Sequence, residues 1–318
     1  MVRYILKRIL SYIPILVLIS IMIFFIIRLI PGDPVQLMFG KKATAEQIQY
    51  VRTLYGLDKP LWQQYVTWIS NILKGDWGTS IRLGEPVMGL VLERLPRTAL
   101  LCVTGILLSI IIAIPSGIAS AIKHNTGIDV GITTLNLLFI SIPSFLFGIL
   151  LIIIFAVKLG VLPSTGYVSI LEDPSEGFRC LVLPTLAMAG VFFASLSRLI
   201  RSSMLEVMGQ DYVTLARVKG VRERTVLFVH ALKNALIPAV TVIGLQIGYF
   251  LGGEVVVEKV FAYPGMGTLL VNAISQRDYP LVQATVLVFT FIVIIVNLLT
   301  DIAYILVDPK IKYGAAKL

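Results

Sequence analysis

The chain of 318 residues is 57% hydrophobic and 14% charged, with a mean hydropathy of +0.90. No soluble globular domain needs that much apolar surface, so the predicted solvent for most of the chain is lipid. Two cysteines, Cys102 and Cys180, exclude a disulfide framework and show no metal-ligand spacing, and the net charge of +9 raises nucleic acid as a partner until the basic residues are sorted by membrane side.

In chain order, Arg3, Lys7 and Arg8 precede an apolar run from Ile9 to Ile27. That run is long enough to cross a bilayer and is followed by IPGDP rather than by a small-residue cleavage site, so it predicts an uncleaved first span. Residues 31–97 are polar and carry Trp62, Trp68 and Trp77, which predicts a small helical cap with aromatic rings at the membrane interface. Further apolar segments at about 99–122, 130–157, 182–200, 237–257 and 283–306 bring the predicted spans to six. Pro115, Pro143 and Pro184 lie in or near them, where a missing backbone donor kinks a helix.

With the N-terminus placed in the cytoplasm, Lys and Arg gather on the inner side at Arg3, Lys7, Arg8, Lys123, Arg198, Arg201, the stretch from Arg217 to Lys233, and Lys310, Lys312 and Lys317. The short outer loops hold only Lys158, Arg179, Lys259 and Arg277. The positive-inside rule therefore predicts N-in and C-in, and membrane topology accounts for the charge without nucleic acid.

The stretch Asp211 to Pro238 is the long basic, water-compatible run of the C-terminal half. Tyr212, Leu215 and Ala216 fall at i, i+3, i+4, and Phe228, Ala231, Leu232 and Ala235 at i, i+3, i+4, i+7, which predicts two short amphipathic helices. Gly220 stands between them, where a helix terminus favours φ > 0, and Arg217 and Lys219 precede it, where cations suit the helix dipole. The element is either a docking surface or a solvated basic loop. His230, without neighbouring ligands, reads as a surface histidine.

In the fifth span, Gly244, Gly248 and Gly252 recur every four residues and predict a close helix contact, compatible with a pathway-lining face. After it, EKVFAYPGMGTLLVNAISQRDYP is too polar and broken to cross; it predicts an external re-entrant or surface helix with Pro264, Gly265 and Gly267 near its start. Asp301, near the inner end of the sixth span, is expected to pair with Arg198 or Arg201. No phosphate-binding loop, no GxSxG and no HExxH is present, so the chain shows no catalytic site of its own.

Five motifs together resemble the permease subunits of ABC importers of the dipeptide, oligopeptide and nickel uptake family: RLIPGDP at 28–34, GDWGTS at 75–80, DYVTLARVKG at 211–220, HALKNALIP at 230–238, and FAYPGMGTLL with RDYP at 261–280. The resemblance implies an all-α, polytopic type I importer permease fold in a prokaryotic plasma (inner) membrane. It divides the chain into 1–30, the cytoplasmic N-terminus and first helix; 31–97, an extracytoplasmic cap; 98–306, a five-helix core with a coupling loop at 201–236; and 307–318, a cytoplasmic tail.

It also implies partners: the lipid bilayer, a homologous second permease, two ATP-binding subunits and an extracytoplasmic solute-binding protein, with no cofactor held by this chain and ATP bound by the partners. Contact with the ATPase falls on Asp211, Tyr212, Leu215, Ala216, Arg217, Lys219 and Gly220. The family's coupling motif opens Glu-Ala-Ala and reaches Gly three residues later. Here those opening positions fall on Thr214, Leu215 and Ala216, so the Glu is absent, and only the last Ala and the Gly match. Di- and oligopeptides are the implied cargo, with glutathione-like peptides and nickel chelates as further options. A secondary transporter would show inverted repeats or intramembrane charges, and an intramembrane enzyme a nucleophile and base at membrane depth; neither pattern is clear.

Overall fold

The computed structural model describes residues 2–29, 44–54 and 56–307. Residues 30–34 of the RLIPGDP motif and the expected tail lysines Lys310, Lys312 and Lys317 lie outside the described residues. Among the described residues every regular element is a helix, with one isolated antiparallel bridge between Thr79 and Pro86 and no strand.

Helix α1, Val2–Leu29, exposes Leu18, Met22, Phe25 and Ile26 along one face, opposite the buried Ser20, Phe24 and Ile27, and an apolar face left bare in this way needs lipid against it. Helix α2, Ala45–Leu54, starts at a capping box in which Gln47 N donates to Thr44 Oγ1 and Thr44 N to Gln47 Oε1. Helix α3, Leu61–Leu73, follows Pro60, and a turn then leads to α4, Val87–Ile122. Helix α4 starts well inside the polar 31–97 segment, because ERLPR continues the helix without a break while its charges give no sign of a span.

The predicted third span is broken. Helix α5, Gly127–Ser141, and α6, Ser144–Lys158, are bent by 102° at Ile142 and Pro143. Pro143 forces Ile142 into extended backbone (φ −91°, ψ 122°) and ends α5 there. Helix α7, Pro174–Met208, starts with proline in its first turn and with Asp173 Oδ1 accepting from Ser175 N and Glu176 N. The remaining helices are α8, Asp211–Val218; α9, Glu223–Ala235; α10, Ile237–Gly253; α11, Val255–Val260; α12, Met266–Ser275; and α13, Tyr279–Val307. Helices α1, α4, α7 and α13 are each long and apolar enough to cross a membrane; the bent pairs α5–α6 and α9–α10 raise the number to six when each is one span.

The chain divides into two units. The first comprises residues to Thr98 and Pro264–Ile294, with a core in which Ile27, Val87, Val91, Met266, Tyr279 and Val282 pack together. Within it, α3 lies against α1: Tyr65 and Ser20 share a 2.8 Å hydrogen bond, and Trp68 stacks on Phe24 at 5.9 Å between centroids. The second comprises Ala99–Tyr263 and Ile295 onward, and is built around α7. One face of α7 buries Leu183, Ala187, Ala194 and Ile200 completely. Small residues set its contacts: a Cβ on Gly117 would come within 2.7 Å of Ser197 O, and one on Gly190 within 3.1 Å of Phe147.

Candidate functional site

The element between α7 and α10 is a helix, a glycine turn and a second helix, as its sequence predicts. Asp211 occupies the first turn of α8 and Arg217 the last, each with the sign that suits the helix dipole at its end. The terminus is a Schellman motif: Gly220 N donates to Arg217 O at 2.9 Å and Val221 N to Ala216 O at 3.2 Å. Gly220 takes φ +76°, a conformation that costs other residues about 1–2 kcal/mol.

Two side-chain contacts then fasten α9 to α8. Arg217 meets the Glu223 carboxylate through Nη2 at 2.9 Å and Nε at 3.2 Å, which raises the guanidinium above its ordinary pKa. Across the pair, Asn234 Nδ2 donates to the Tyr212 hydroxyl at 2.8 Å. Both helices pack on α7. The turn Val226–Ala231 is π-helical, which sets Val226 and Ala231, five residues apart, on one buried face with Ala235.

The buried faces differ from the sequence expectation. On α8, Val213 is fully buried and Ala216 half-buried, while Tyr212 and Leu215 point outward. On α9, the π turn replaces Phe228 by Val226 on the inner face, and Phe228 is 53% exposed. Val218, at 79% exposure, and Val229 extend this outward apolar set. Asp211, Lys219 and Gly220 are exposed, and His230 is half-exposed. These exposed apolar side chains share the two helices and their turn with the exposed cations Arg217, Lys219, Arg222, Arg224 and Lys233. Glu223, Asn234 and Val218 were not singled out by sequence; Glu223, six residues from Arg217 across a glycine turn, is the one whose spacing could have suggested its role.

At the same end of α7, Arg201 donates Nε to Asp129 Oδ1 at 2.6 Å and Nη2 to Asp129 Oδ2 at 2.8 Å. Asp129 also accepts from the Ser120 hydroxyl and, at 3.0 Å, from Asn125 N. Of the two guanidinium groups expected near Asp301, that of Arg201 is thus held by the carboxylate of α5, which a polar residue at a helix start did not announce.

Gly244 is buried in α10, where a Cβ would fall 2.2 Å from Thr300 Oγ1 and Cγ2. Close packing is therefore what this glycine does; Gly248, half-buried, and Gly252 follow it on the same helix. Pro264 and Gly265 lie just before α12, with Gly265 as its N-cap and Gly267 buried in its first turn. Pro264 O accepts from Arg94 Nη1 at 3.4 Å, and Met266 N donates to Thr98 Oγ1 at 2.8 Å, which anchors the segment within the first unit. Among the described residues no cluster of His, Cys, Asp and Glu could hold a metal ion.

Several long apolar helices, some bent, with one ordered, water-compatible helix pair between them define a polytopic membrane protein. Residues 105–313 match the family described as the binding-protein-dependent transport system inner membrane component, and residues 1–102 match the N-terminal region of such components. The chain belongs to this family. It is 43% identical to the oligopeptide transport system permease protein AppB of Bacillus subtilis over 318 residues, covering 98% of this chain and 100% of that one. It is 41% identical to a putative peptide transport system permease protein of Brucella abortus and 39% identical to the glutathione transport system permease protein GsiC of Escherichia coli, each over 313 residues, 98% of this chain and 100% of the relative.

Proposed function

We propose that the chain forms half of the translocation pathway of an ATP-driven importer of short peptides and that the α8–α9 element is its docking surface for a separate ATPase subunit. The observation that carries the reading is the clasp: Arg217 on Glu223 and Asn234 on Tyr212 hold two helices as one body and keep Leu215, Val218 and Phe228 in solvent. A loop that served only to connect spans would leave such side chains unpaired with any need for order.

In this mechanism the chain has no catalytic site and binds no cofactor. Two ATPase subunits bind and hydrolyse ATP, and their closure moves the docked helix pair. The pair rests on α7, so the displacement passes to the most buried helix of the second unit and changes access along the spans. A homologous permease completes the pathway, and an extracytoplasmic binding protein delivers the solute. The orientation is N-in and C-in in a prokaryotic inner membrane, with the 31–97 cap and the Pro264 segment outside. Peptide cargo follows the names of the relatives, glutathione included, and the apolar helices themselves do not choose among peptides.

The test is uptake of labelled di- and tripeptides into proteoliposomes holding this chain with its sister permease, the ATPases and the binding protein. Accumulation that requires internal or external ATP on the ATPase side supports the reading. Equal accumulation without ATP, driven by an ion gradient, would overturn it.

A further inference from the structure

Within the first unit, α1, the α2–α3 turn, the GDWGTS loop and the start of α13 enclose a cavity of about 250 Å3. Gln283, one turn into α13, lines it and is only 3% exposed, yet its Nε2 has no hydrogen-bond partner among the described residues. A buried amide donor left unmade costs about 1–3 kcal/mol, so a residue of that kind at the wall of a cavity points to a guest that accepts from it once the amide turns toward the cavity.

The other polar lining residues agree on the guest's sign. Arg28 is fixed by Nη1 to Phe24 O at 2.8 Å and Nη2 to Gln64 Oε1 at 3.0 Å, with its guanidinium 3.5 Å from the centre of the Phe24 ring. Those contacts use only some of its donors and hold the group rigid. Lys59 and Asn71 add donors at the wall. Asp76, the one carboxylate among the described lining residues, already accepts from Gly78 N at 2.9 Å. Trp68 and Trp77 supply flat apolar sides.

We infer that this cavity binds an oxyanion, a carboxylate or phosphate group, with Arg28 supplying the charge and Gln283 Nε2 a buried hydrogen bond. Two sources carry that chemistry here. One is a phospholipid headgroup, because Arg28 lies at the end of a helix whose outward face is apolar and bare. The other is the carboxylate of a small solute such as a dipeptide, which the cavity volume accommodates.

All three tryptophans of the chain, Trp62, Trp68 and Trp77, lie in one short stretch, and two of them line the cavity, so intrinsic fluorescence reports on it. The full-length chain in a maltoside detergent is titrated with alanyl-alanine, its C-terminal amide, dihexanoyl phosphatidylglycerol and uncharged dihexanoylglycerol. The expected result is a saturable change with one or both anionic probes and none with their neutral counterparts. Gln283→Leu and, separately, Lys59→Gln weaken it at least threefold. A response to the dipeptide alone assigns a solute carboxylate, and a response to the phospholipid alone assigns a headgroup. No saturable change with either anion, or one of equal affinity in both variants, overturns the inference.

Discussion

Asp278 receives the Ser80 hydroxyl and, within the same pocket, the backbone N–H of Ile81 at 3.2 Å and of Arg82 at 3.3 Å. The GDWGTS and RDYP motifs, 198 residues apart at this contact, are thus two halves of one buried hydrogen-bond network. Asp278 is 1% exposed and Ser80 0%. Asp278→Ala strands the Ser80 hydroxyl and three backbone donors, Ile81 N, Arg82 N and Leu281 N, and is expected to destabilise the first unit by about 3 kcal/mol. Thermal unfolding in detergent checks this; an unchanged melting temperature would contradict it.

Gly244 has no room for a side chain. Gly244→Ala places a methyl group on Thr300 and is expected to cost about 1–3 kcal/mol. Gly244→Ala with Thr300→Gly removes the opposing atoms and recovers part of that loss, a coupling that a double-mutant cycle on melting temperatures measures.

Arg201 and Asp129 are worth more as a pair than either is alone, because each leaves a sequestered charge behind when the other is removed. Arg201→Met alone is expected to destabilise by about 2 kcal/mol, and Arg201→Met with Asp129→Leu by less than the sum of the single changes. Additive losses would mean that the contact contributes little.

At Gly220, φ +76° makes β-branched residues costly. Gly220→Val is expected to disorder the α8–α9 turn and to abolish uptake while the protein still inserts and accumulates in the membrane. Ala216→Asp, on the half-buried side of α8, has the same predicted outcome. Uptake assays alongside membrane immunoblots separate loss of function from loss of protein.

Much of this was legible in the sequence because it depends on local chemistry. Apolar run length located the spans, and Gly220 after Arg217 and Lys219 marked the end of α8. Pro143 marked a kink, although not its size, since a 102° bend is set by what α5 and α6 pack against. What the sequence hid is tertiary. The face of α8 turned inward is that of Val213 rather than Leu215, because α7 and not hydrophobicity chooses it. The π turn at Val226–Ala231 shifts the register of α9 by a residue that periodicity at 3.6 cannot foresee. The partners of Asp129 and Asp278 lie 72 and 198 residues away, beyond any motif window.

The central claim is that the outward side chains of α8 and α9 dock an ATPase subunit. The direct measurement is co-purification of the tagged chain in mild detergent, parent against Leu215→Asp with Val218→Asp, two exposed positions whose change leaves the buried face intact. The account predicts that the parent retains a second permease and ATPase subunits with ATP hydrolysis, and that the variant keeps the second permease but loses the ATPase. Equal ATPase recovery with both would contradict it.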